Sequence, residues 1–279
     1  MTPAAEPSPV AIPTLVRIEG PDALAFLNGQ FTCDVAALVP GAWTWGGYCS
    51  PKGRLLVTFR LGLLDGAYLL QCPTGQGAEL AARLRRYVLR AKVSLTPVPA
   101  SYRTGPAGAL GIPEPPAIGH LRADGTRIVW GLQPGIIALD SPEAEPAAPD
   151  WTGDLALGAP WILPANAEAF VPQMADLDRA GGVSFTKGCY PGQEVVARAR
   201  YLGEVKRHLF RITWTGSPAP AAGEPVLSGD RAVGAVLYGA GSDDRGAALA
   251  VLDTASALAG GLSANGRPIG TVERVHPDA

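Results

Sequence analysis

Residues 187–194, with the sequence K-G-C-Y-P-G-Q-E, constrain the fold more than any other stretch of the chain. Pro191 fixes the φ angle that a β-turn requires at its second position, and Gly192 can adopt the positive φ that a type II turn requires at its third. The sequence therefore predicts a turn over residues 190–193, with Cys189 immediately before it.

A helix is predicted to follow this turn. Apolar residues recur after it at helical spacing: Val195, Val196, Ala199 and Leu202. Glu194 suits the start of a helix, and Gly203 marks its stop. A thiol near a helix N-terminus and a lysine ionises more readily than a free one, so Cys189, close to Lys187, is the candidate reactive group. The alternative is a buried structural cysteine, the commoner situation for free cysteines in general.

Composition argues against several classes of protein. The formal charge is −2, from 23 Lys and Arg against 25 Asp and Glu, which speaks against a uniformly basic nucleic-acid-binding or membrane-binding surface. Residues 1–13 lack the basic start and apolar run of a signal peptide, and no stretch has the length of a membrane span. The four cysteines are far apart, without a C-x-x-C pair or zinc-finger spacing, which fits a reducing compartment. We therefore expect a cytoplasmic protein.

The first hundred residues alternate between strand and helix patterns. Strands are predicted at 14–19, 54–63, 67–72 and 92–98. Asp65 and Gly66 form a hairpin signal between the second and third of these strands. Helices are predicted to open at Pro21 and Pro73, and the apolar face of the second helix would extend over residues 80–91.

The predicted second helix carries a run of positive charge. Five cations and no acid lie within residues 83–92: Arg83, Arg85, Arg86, Arg90 and Lys92. Such a run is usually a solvated helix face, and anion binding is the less common alternative.

The remainder of the chain is rich in turns. Pro-rich stretches at 105–116 and 141–149 predict exposed loops on either side of a strand at 126–131, and the prolines of residues 151–174 leave room only for short helices. Beyond residue 203, strands are predicted at 206–215, 232–238, 247–252 and 268–275. Short strands separated by Gly, Asp and Ser turns predict a small β-barrel.

With these motifs placed, the chain resembles the YgfZ family of folate-binding proteins. That family is linked to iron–sulfur cluster assembly and repair and is related by fold to the aminomethyltransferase T-protein of glycine cleavage. The residues that match its signature are Lys187, Gly188, Cys189, Tyr190, Gly192, Gln193 and Glu194, with Arg198 following. Supporting matches are Gly29-Gln30 with Thr32 and Asp34, the segment 49–54, Pro172-Gln173, and Leu177-Asp178.

The resemblance implies an α+β protein with a T-protein-like fold, in which three subdomains surround a central folate cavity and the C-terminal one is a small β-barrel. The first subdomain would combine residues 1–45 with residues 101–200 and carry the signature. The second would be a hairpin, helix and strand at 46–100, and the third would be the barrel at 201–279.

The resemblance also implies a ligand, tetrahydrofolate or a derivative. Amide and carboxylate groups would hold its pterin ring, and cations would hold its glutamate tail. The candidates for the pterin end are Gln173, Asp176 and Asp178. These three side chains could equally cap or solvate a loop.

An acid that the aminomethyltransferases use is missing here. Their segment corresponding to residues 53–58 carries an acidic pair that assists one-carbon transfer, whereas this chain reads G-R-L-L-V-T. The missing acid favours a binding protein over an enzyme and leaves turnover open. The favoured function is therefore a folate-binding factor that supports iron–sulfur cluster assembly or repair and, through iron–sulfur enzymes, tRNA modification. Its partners would be iron–sulfur client enzymes or cluster carriers.

The role of Cys189 stays open among transient cluster ligation, disulfide exchange and carriage of a folate-linked group. One thiolate cannot hold a four-cysteine cluster alone. The three histidines are scattered along the sequence, at His120, His208 and His276. No permanently bound metal is therefore expected.

Two other functions remain as alternatives. The first is an active folate-dependent transferase of the aminomethyl type that uses a replacement acid, for which the nearest acids are Asp34, Asp65 and Glu194. The second is a direct tRNA-binding module built on the seven cations of residues 179–211. Its stacking surfaces would be Tyr190, Tyr201 and Phe210. The same cations also fit a solvated surface.

Overall fold

The structure is a computed structural model, and it describes residues 14–72, 75–142, 151–201, 203–216, 220–241 and 245–276. Four sequence predictions fall wholly or partly outside these residues. They concern the tail at 1–13, the helix opening at 73–74, the Pro-rich stretch at 141–149, of which residues 143–149 lie outside, and Leu202.

Fifteen strands and five α-helices are described. In the N-terminal half they are β1 (Thr14–Glu19), α1 (Ala23–Asn28), β2 (Trp43–Cys49), β3 (Leu55–Leu64), β4 (Ala67–Cys72), α2 (Gln76–Arg85), β5 (Ser94–Pro99), β6 (Ser101–Pro106), β7 (Leu121–Asp124), β8 (Arg127–Gln133) and β9 (Ile136–Ser141). In the C-terminal half they are α3 (Thr152–Leu157), α4 (Gln193–Tyr201), β10 (Arg207–Thr215), β11 (Pro225–Ser228), β12 (Arg231–Gly241), β13 (Arg245–Asp253), α5 (Thr254–Ala259), β14 (Leu262–Ala264) and β15 (Arg267–Arg274). A short 3-10 helix at Pro172–Ala175 precedes the signature.

The first sheet contains five antiparallel strands in the order β2-β3-β4-β1-β5. Asp65 and Gly66 join β3 to β4 with φ angles of 50° and 76°, as a type I′ hairpin requires. The predicted hairpin is therefore confirmed. Leu80 and Leu84 of α2 are buried in the apolar core of this sheet.

One pairing in this sheet joins strands from distant parts of the chain, and the predicted subdomain boundaries at residues 45 and 46 stay a prediction. β1 forms backbone hydrogen bonds with both β4 and β5, so the strands at 14–19, 67–72 and 94–99 belong to one sheet. The sequence carries no sign of this pairing, because β1 joins strands that lie far from it along the chain.

α2 ends at Arg85, whereas the sequence predicted a helix whose apolar face extends over residues 80–91. The chain continues in tight turns, in which the Arg86 and Tyr87 amides donate to the carbonyls of Arg83 and Leu84. The Tyr87 side chain is 56% exposed, so it does not belong to the buried apolar face that the sequence predicted.

The other strands form two further sheets. The second sheet has four antiparallel strands in the order β6-β9-β8-β7, and the last six strands close into a barrel in the order β10-β13-β12-β11-β14-β15. The barrel confirms the predicted C-terminal fold, and the mixture of helices and antiparallel sheets confirms the α+β class. β11 and β14 were not predicted because strands of four and three residues are too short to display a period of two.

A buried ion pair lies where the first sheet, the second sheet and α3 meet. Arg60 of β3 donates from Nη2 to Oδ1 of Asp154 at 3.0 Å, and their side chains are 1% and 0% exposed. Nη1 of Arg60 also donates to Oε1 of Gln71 at 2.7 Å and to the hydroxyl of Tyr102 at 2.9 Å. Tyr102 belongs to the second sheet, so this network fastens the two sheets and the helix together.

The same network extends to a second buried carboxylate, that of Asp140 on β9. Its Oδ2 accepts hydrogen bonds from Nε2 of Gln71 and from Nε1 of Trp130, the latter at 2.7 Å. Its Oδ1 is buried and has no hydrogen-bond partner among the described residues. Burial raises the pKa of this carboxyl to about 7.

Among the described residues, no helix is both long and apolar enough to cross a membrane.

We expect Asp140→Asn to change how stability depends on pH. Between an unfolded-state pKa near 3.8 and the native pKa of about 7, the native state keeps a proton that the unfolded chain has released. The stability that this group contributes is therefore fully present below about pH 4 and is lost as the pH rises to about 7. Asparagine keeps an acceptor for Gln71 and Trp130 but cannot titrate. Relative to wild type, its free energy of unfolding should rise over this window by about 4 kcal/mol.

Urea unfolding at pH 4, 5, 6, 7 and 8 measures this difference. Asp230→Asn, at an exposed turn, serves as the control because its side chain is solvated in the native state. Parallel profiles for wild type and Asp140→Asn would contradict the prediction.

Candidate functional site

The signature forms the turn that the sequence predicts. Gly192 has a φ of 80°, and the Gln193 amide donates to the carbonyl of Tyr190 at 3.2 Å. α4 begins at Gln193, which confirms the predicted helix. Tyr190 is buried, while Glu194 and Arg198 point into solvent from α4.

The signature turn packs on the segment at 49–54. A Cβ added to Gly192 would lie 2.5 Å from both the Cα of Gly53 and the carbonyl oxygen of Ser50. A Cβ on Gly53 would lie 2.7 Å from the Cβ of Val195. Two motifs that lie far apart in the sequence therefore meet through a contact that only glycine permits on both sides.

A second junction joins the N-terminal motif to the chain just before the signature. Thr32 is fully buried, and its hydroxyl donates to the carbonyl of Gly182 at 2.6 Å and accepts from the amide of Gly47 at 2.8 Å. The amide of Ser184 donates to the carbonyl of Thr32 at 2.8 Å. The buried hydroxyl thus fixes the irregular segment that leads into the signature.

Lys187 makes the third junction. Its half-buried ammonium group donates to the carbonyls of Asn28 and Phe31, the latter at 2.6 Å, and lies 5.0 Å from the centre of the Tyr190 ring. Desolvation lowers the pKa of Lys187, and the nearby Cys33 and Asp34 act in the opposite direction. Lys187 therefore holds the end of α1 against the signature.

Cys189 is exposed, which excludes the alternative of a buried structural cysteine. Cys33, Cys49 and Cys72 are all buried, and desolvation raises the pKa of the first two to about 12. In the described part of the chain, no hydrogen bond or ion pair joins Lys187 to Cys189. Activation of this thiol therefore stays a prediction, but its accessibility sets it apart from the other three.

The pterin candidates Gln173 and Asp176 are buried in structural contacts. Gln173 donates from Nε2 to the carbonyl of Val196 at 2.6 Å. Its Oε1 is buried and accepts no hydrogen bond from any described residue. Oδ1 of Asp176 lies 2.6 Å from Nδ1 of His208, and its Oδ2 accepts from the amide of Leu209 at 3.2 Å. These contacts attach the 3-10 helix at 172–175 to α4 and to the barrel.

The third candidate, Asp178, belongs to a different environment. Its Oδ1 is buried with no described partner, and the same holds for Nε2 of His276. Burial lowers the pKa of His276, while the negative charges of Asp176 and Asp178 raise it. Two histidines that the sequence places far apart, His208 and His276, therefore both lie near this acidic pair.

His276 lines a cleft of about 140 Å³ between the first sheet, the second sheet and the segments around Ala180 and His276. Its walls include Trp43, Trp45 and Arg60 from the first sheet, Gln133 from the second, and Ala180 and His276 from the C-terminal part of the chain. The guanidinium of Arg60 lies 4.7 Å from the ring centre of Trp45 and 4.8 Å from that of Trp161. One wall of the cleft is therefore a stack of indole rings on a buried cation.

This cleft was not predicted from the sequence, although the sequence contains two signals of it. Trp43 and Trp45 share one face of β2 because they are two residues apart on a strand. Arg60 interrupts the otherwise apolar β3, and a buried arginine requires partners. Neither signal indicates that the second sheet and the C-terminal segment complete the wall.

The structure also locates the residues of the two alternative functions. Asp34 accepts a hydrogen bond from the amide of Ala36 as a helix cap, and Asp65 occupies the β3–β4 turn. Both acids therefore have local structural roles. The stacking surfaces proposed for tRNA are corrected in part: Tyr190 and Phe210 are buried, at 6% and 2% exposure, because their rings pack inside the fold, whereas Tyr201 is 67% exposed.

The described residues contain no cluster of three or more His, Cys, Asp or Glu side chains that could hold a metal ion.

Curated proteins named tRNA-modifying protein YgfZ are similar to the chain. The relative from Vibrio vulnificus is 35% identical over 243 residues, which is 79% of this chain and 73% of the relative. The relative from Klebsiella pneumoniae is 30% identical over 263 residues, which is 82% of this chain and 79% of the relative. No protein-family model matches the chain.

Among solved structures, the chain is similar to the glycine cleavage system aminomethyltransferase T from Bartonella henselae. The TM-score is 0.67 at 16% identity, and the match covers 96% of this chain and 84% of the other. At this identity the match concerns the fold, and it confirms the predicted T-protein-like fold.

We expect Gly192→Ala to destabilise the site and Gly188→Ala to leave it unchanged. Alanine at 192 would be strained at a φ of 80° and would collide with Gly53 and Ser50. Strain of this kind costs about 1–3 kcal/mol. A Cβ at Gly188 meets nothing within 4 Å.

Chemical denaturation of both variants measures the stability cost, and the rate of Cys189 modification in the native state reports the local structure. Equal stability of the two variants would contradict the glycine contact.

Proposed function

The chain belongs to the YgfZ family of tRNA-modifying proteins, and we propose that it binds tetrahydrofolate or a derivative and supports iron–sulfur cluster assembly or repair. Its effect on tRNA modification would then pass through iron–sulfur enzymes. The observation that carries the proposal is the cleft lined by Trp43, Trp45 and His276, in which indole rings lie near buried polar atoms that have no described hydrogen-bond partner.

The residues of the cleft fit the ring part of a folate. Trp43 and Trp45 offer flat apolar faces for a bicyclic ring. The unpartnered Nε2 of His276 on the wall, and Oδ1 of Asp178 close to His276, are buried polar atoms that ring N–H groups could satisfy. The volume of about 140 Å³ lies below the roughly 300–1,000 Å³ of complete ligand sites, so the benzoyl-glutamate tail would extend outside.

Of the three pterin candidates, the geometry favours Asp178. The carboxylate of Asp176 is already engaged by His208 and Leu209, and Gln173 is engaged by Val196. In this proposal they act as positioning residues, because they hold the segment that carries Asp178.

The proposal favours binding over aminomethyl transfer. Bound tetrahydrofolate would supply a one-carbon carrier, but residues 53–58 offer no carboxylate beside it. The side chain of Leu55 is fully buried, in an apolar cluster with Leu177 and Leu237. A proton-transfer group would be costly to bury at that position.

Cys189 would serve the second part of the proposed function, the support of iron–sulfur cluster assembly or repair. It is the exposed thiol on a turn that three separate contacts hold in place, through Gly53, Thr32 and Lys187. An exposed thiol on a fixed turn can reach an iron–sulfur client enzyme or a cluster carrier. Transient ligation, disulfide exchange and carriage of a folate-linked group are all compatible with this position.

Calorimetric titration with tetrahydrofolate under anaerobic conditions tests the first half of the proposal. We expect wild type to bind and Ala180→Leu to bind at least about tenfold more weakly, because the larger side chain fills the cleft. Ala82→Leu, on the exposed side of α2, is the matched control. Absence of binding by wild type, or equal binding by Ala180→Leu, would overturn the folate proposal.

Complementation of a strain that lacks the protein tests the second half. We expect Cys189→Ser to lose the rescue of iron–sulfur enzyme activity and of the tRNA modifications that depend on it, while tetrahydrofolate binding stays unchanged. Gly188→Ala is the neighbouring control, since its added methyl group meets open space. Full rescue by Cys189→Ser would overturn the proposed role of the cysteine. It would leave the conclusion on tetrahydrofolate binding unchanged.

A further inference from the structure

Residues 83–92, which we call the basic knob, form an exposed cationic surface where α2 ends. All five cations of the knob are exposed, and the segment contains no acid: Arg83, Arg85, Arg86, Arg90 and Lys92. The rest of the chain has 18 Lys and Arg against 25 Asp and Glu, so the knob departs from the acidic balance of the molecule.

Three of the five cations are available to a partner. Arg83 pairs with Glu79 at 2.9 Å, and Arg85 donates to the carbonyl of Leu95. For Arg86, Arg90 and the ammonium of Lys92, no described residue supplies a carboxylate within ion-pair distance. The neighbouring Asp22 does approach Lys92, but it accepts from the backbone amide, at 2.7 Å.

The backbone of the knob is held firmly. Val88 and Val93 pack against the core of the first sheet. Asp22 fixes Lys92 from one side, and a Cβ on Gly20 would lie 2.1 Å from the Lys92 carbonyl oxygen, so the chain approaches this point closely. A surface that is already ordered loses little backbone entropy on binding.

Two large apolar side chains stand among these cations. Tyr87 is 56% exposed and Leu89 is 86% exposed. Cations that neutralise phosphates, combined with an accessible aromatic ring on which a base can stack, are the features of surfaces that bind single-stranded nucleic acid. Four of the five cations are arginines, whose planar guanidinium contacts phosphate through two hydrogen bonds.

We propose that the basic knob is a docking surface for single-stranded RNA. The aromatic ring favours RNA with unstacked bases over a duplex, whose bases are already paired. Two exposed apolar side chains offer little area for insertion into a membrane. An acidic protein surface would engage the cations and leave Tyr87 unused. The knob does not contribute to the cleft of the folate proposal, so the two proposals can fail separately.

Binding of a labelled 20-nucleotide single-stranded RNA over a range of salt concentrations tests the proposal. We expect wild type to bind with a steep salt dependence. The triple variant Arg86→Ala/Arg90→Ala/Lys92→Ala should bind more weakly and lose about 2 from the slope of log K against log salt, since each phosphate contact contributes roughly 0.7. The single variant Arg90→Ala should lower the slope of log K against log salt by about 0.7.

Tyr87→Ala separates stacking from charge. It should weaken binding roughly tenfold with the slope unchanged, because base stacking releases no counterions. The control is Arg198→Ala/Arg200→Ala/Lys206→Ala, a triple variant of the other basic segment, which should retain the wild-type slope. Circular dichroism confirms that each variant is folded.

Several outcomes would overturn the proposal. They are no RNA binding by wild type, an equal loss in the control triple variant, and stronger binding to duplex RNA than to the single strand. Binding to vesicles of phosphatidylglycerol and phosphatidylcholine without binding to RNA would assign the knob to a membrane surface instead.

Discussion

The ion pair between Arg60 and Asp154 is the interaction on which the arrangement of the first two sheets and α3 depends. Both side chains are almost fully buried, so each would carry a large desolvation cost without the other. Tyr102 and Gln71 satisfy further donors of the guanidinium and tie the second sheet to the first. Loss of one partner from such a pair costs about 3–5 kcal/mol, because it leaves a buried charge without compensation.

The same arginine links the stability of the fold to the candidate site. Its guanidinium stacks against Trp45 and Trp161 and forms part of the cleft where the sheets meet. A buried hydrogen-bond network holds the Arg60 guanidinium in place, so the stack can be rigid. In the proposed function, the group that joins the sheets also builds the ring-binding wall, so the site exists only in the assembled fold.

Much of the secondary structure could be predicted from local patterns, and the failures have physical causes. β2 escaped prediction because Gly46 and Gly47 interrupt its β-prone residues. Both glycines are required by packing, since a Cβ on Gly46 would lie 2.5 Å from the Phe59 ring and one on Gly47 would lie 2.7 Å from Leu55. The early end of α2 was missed because Tyr87 continues the helical spacing of apolar residues yet faces solvent.

By itself, the sequence determined the signature turn, the helix that follows it and the β3–β4 hairpin, because each depends on residues adjacent in the chain. It also identified Cys189 and the motifs around it. Only the tertiary structure decided that Cys189 is exposed, that Lys187 binds the end of α1, and that His276 closes a cleft with Trp45. These are contacts between segments distant in the sequence, and no local pattern encodes them.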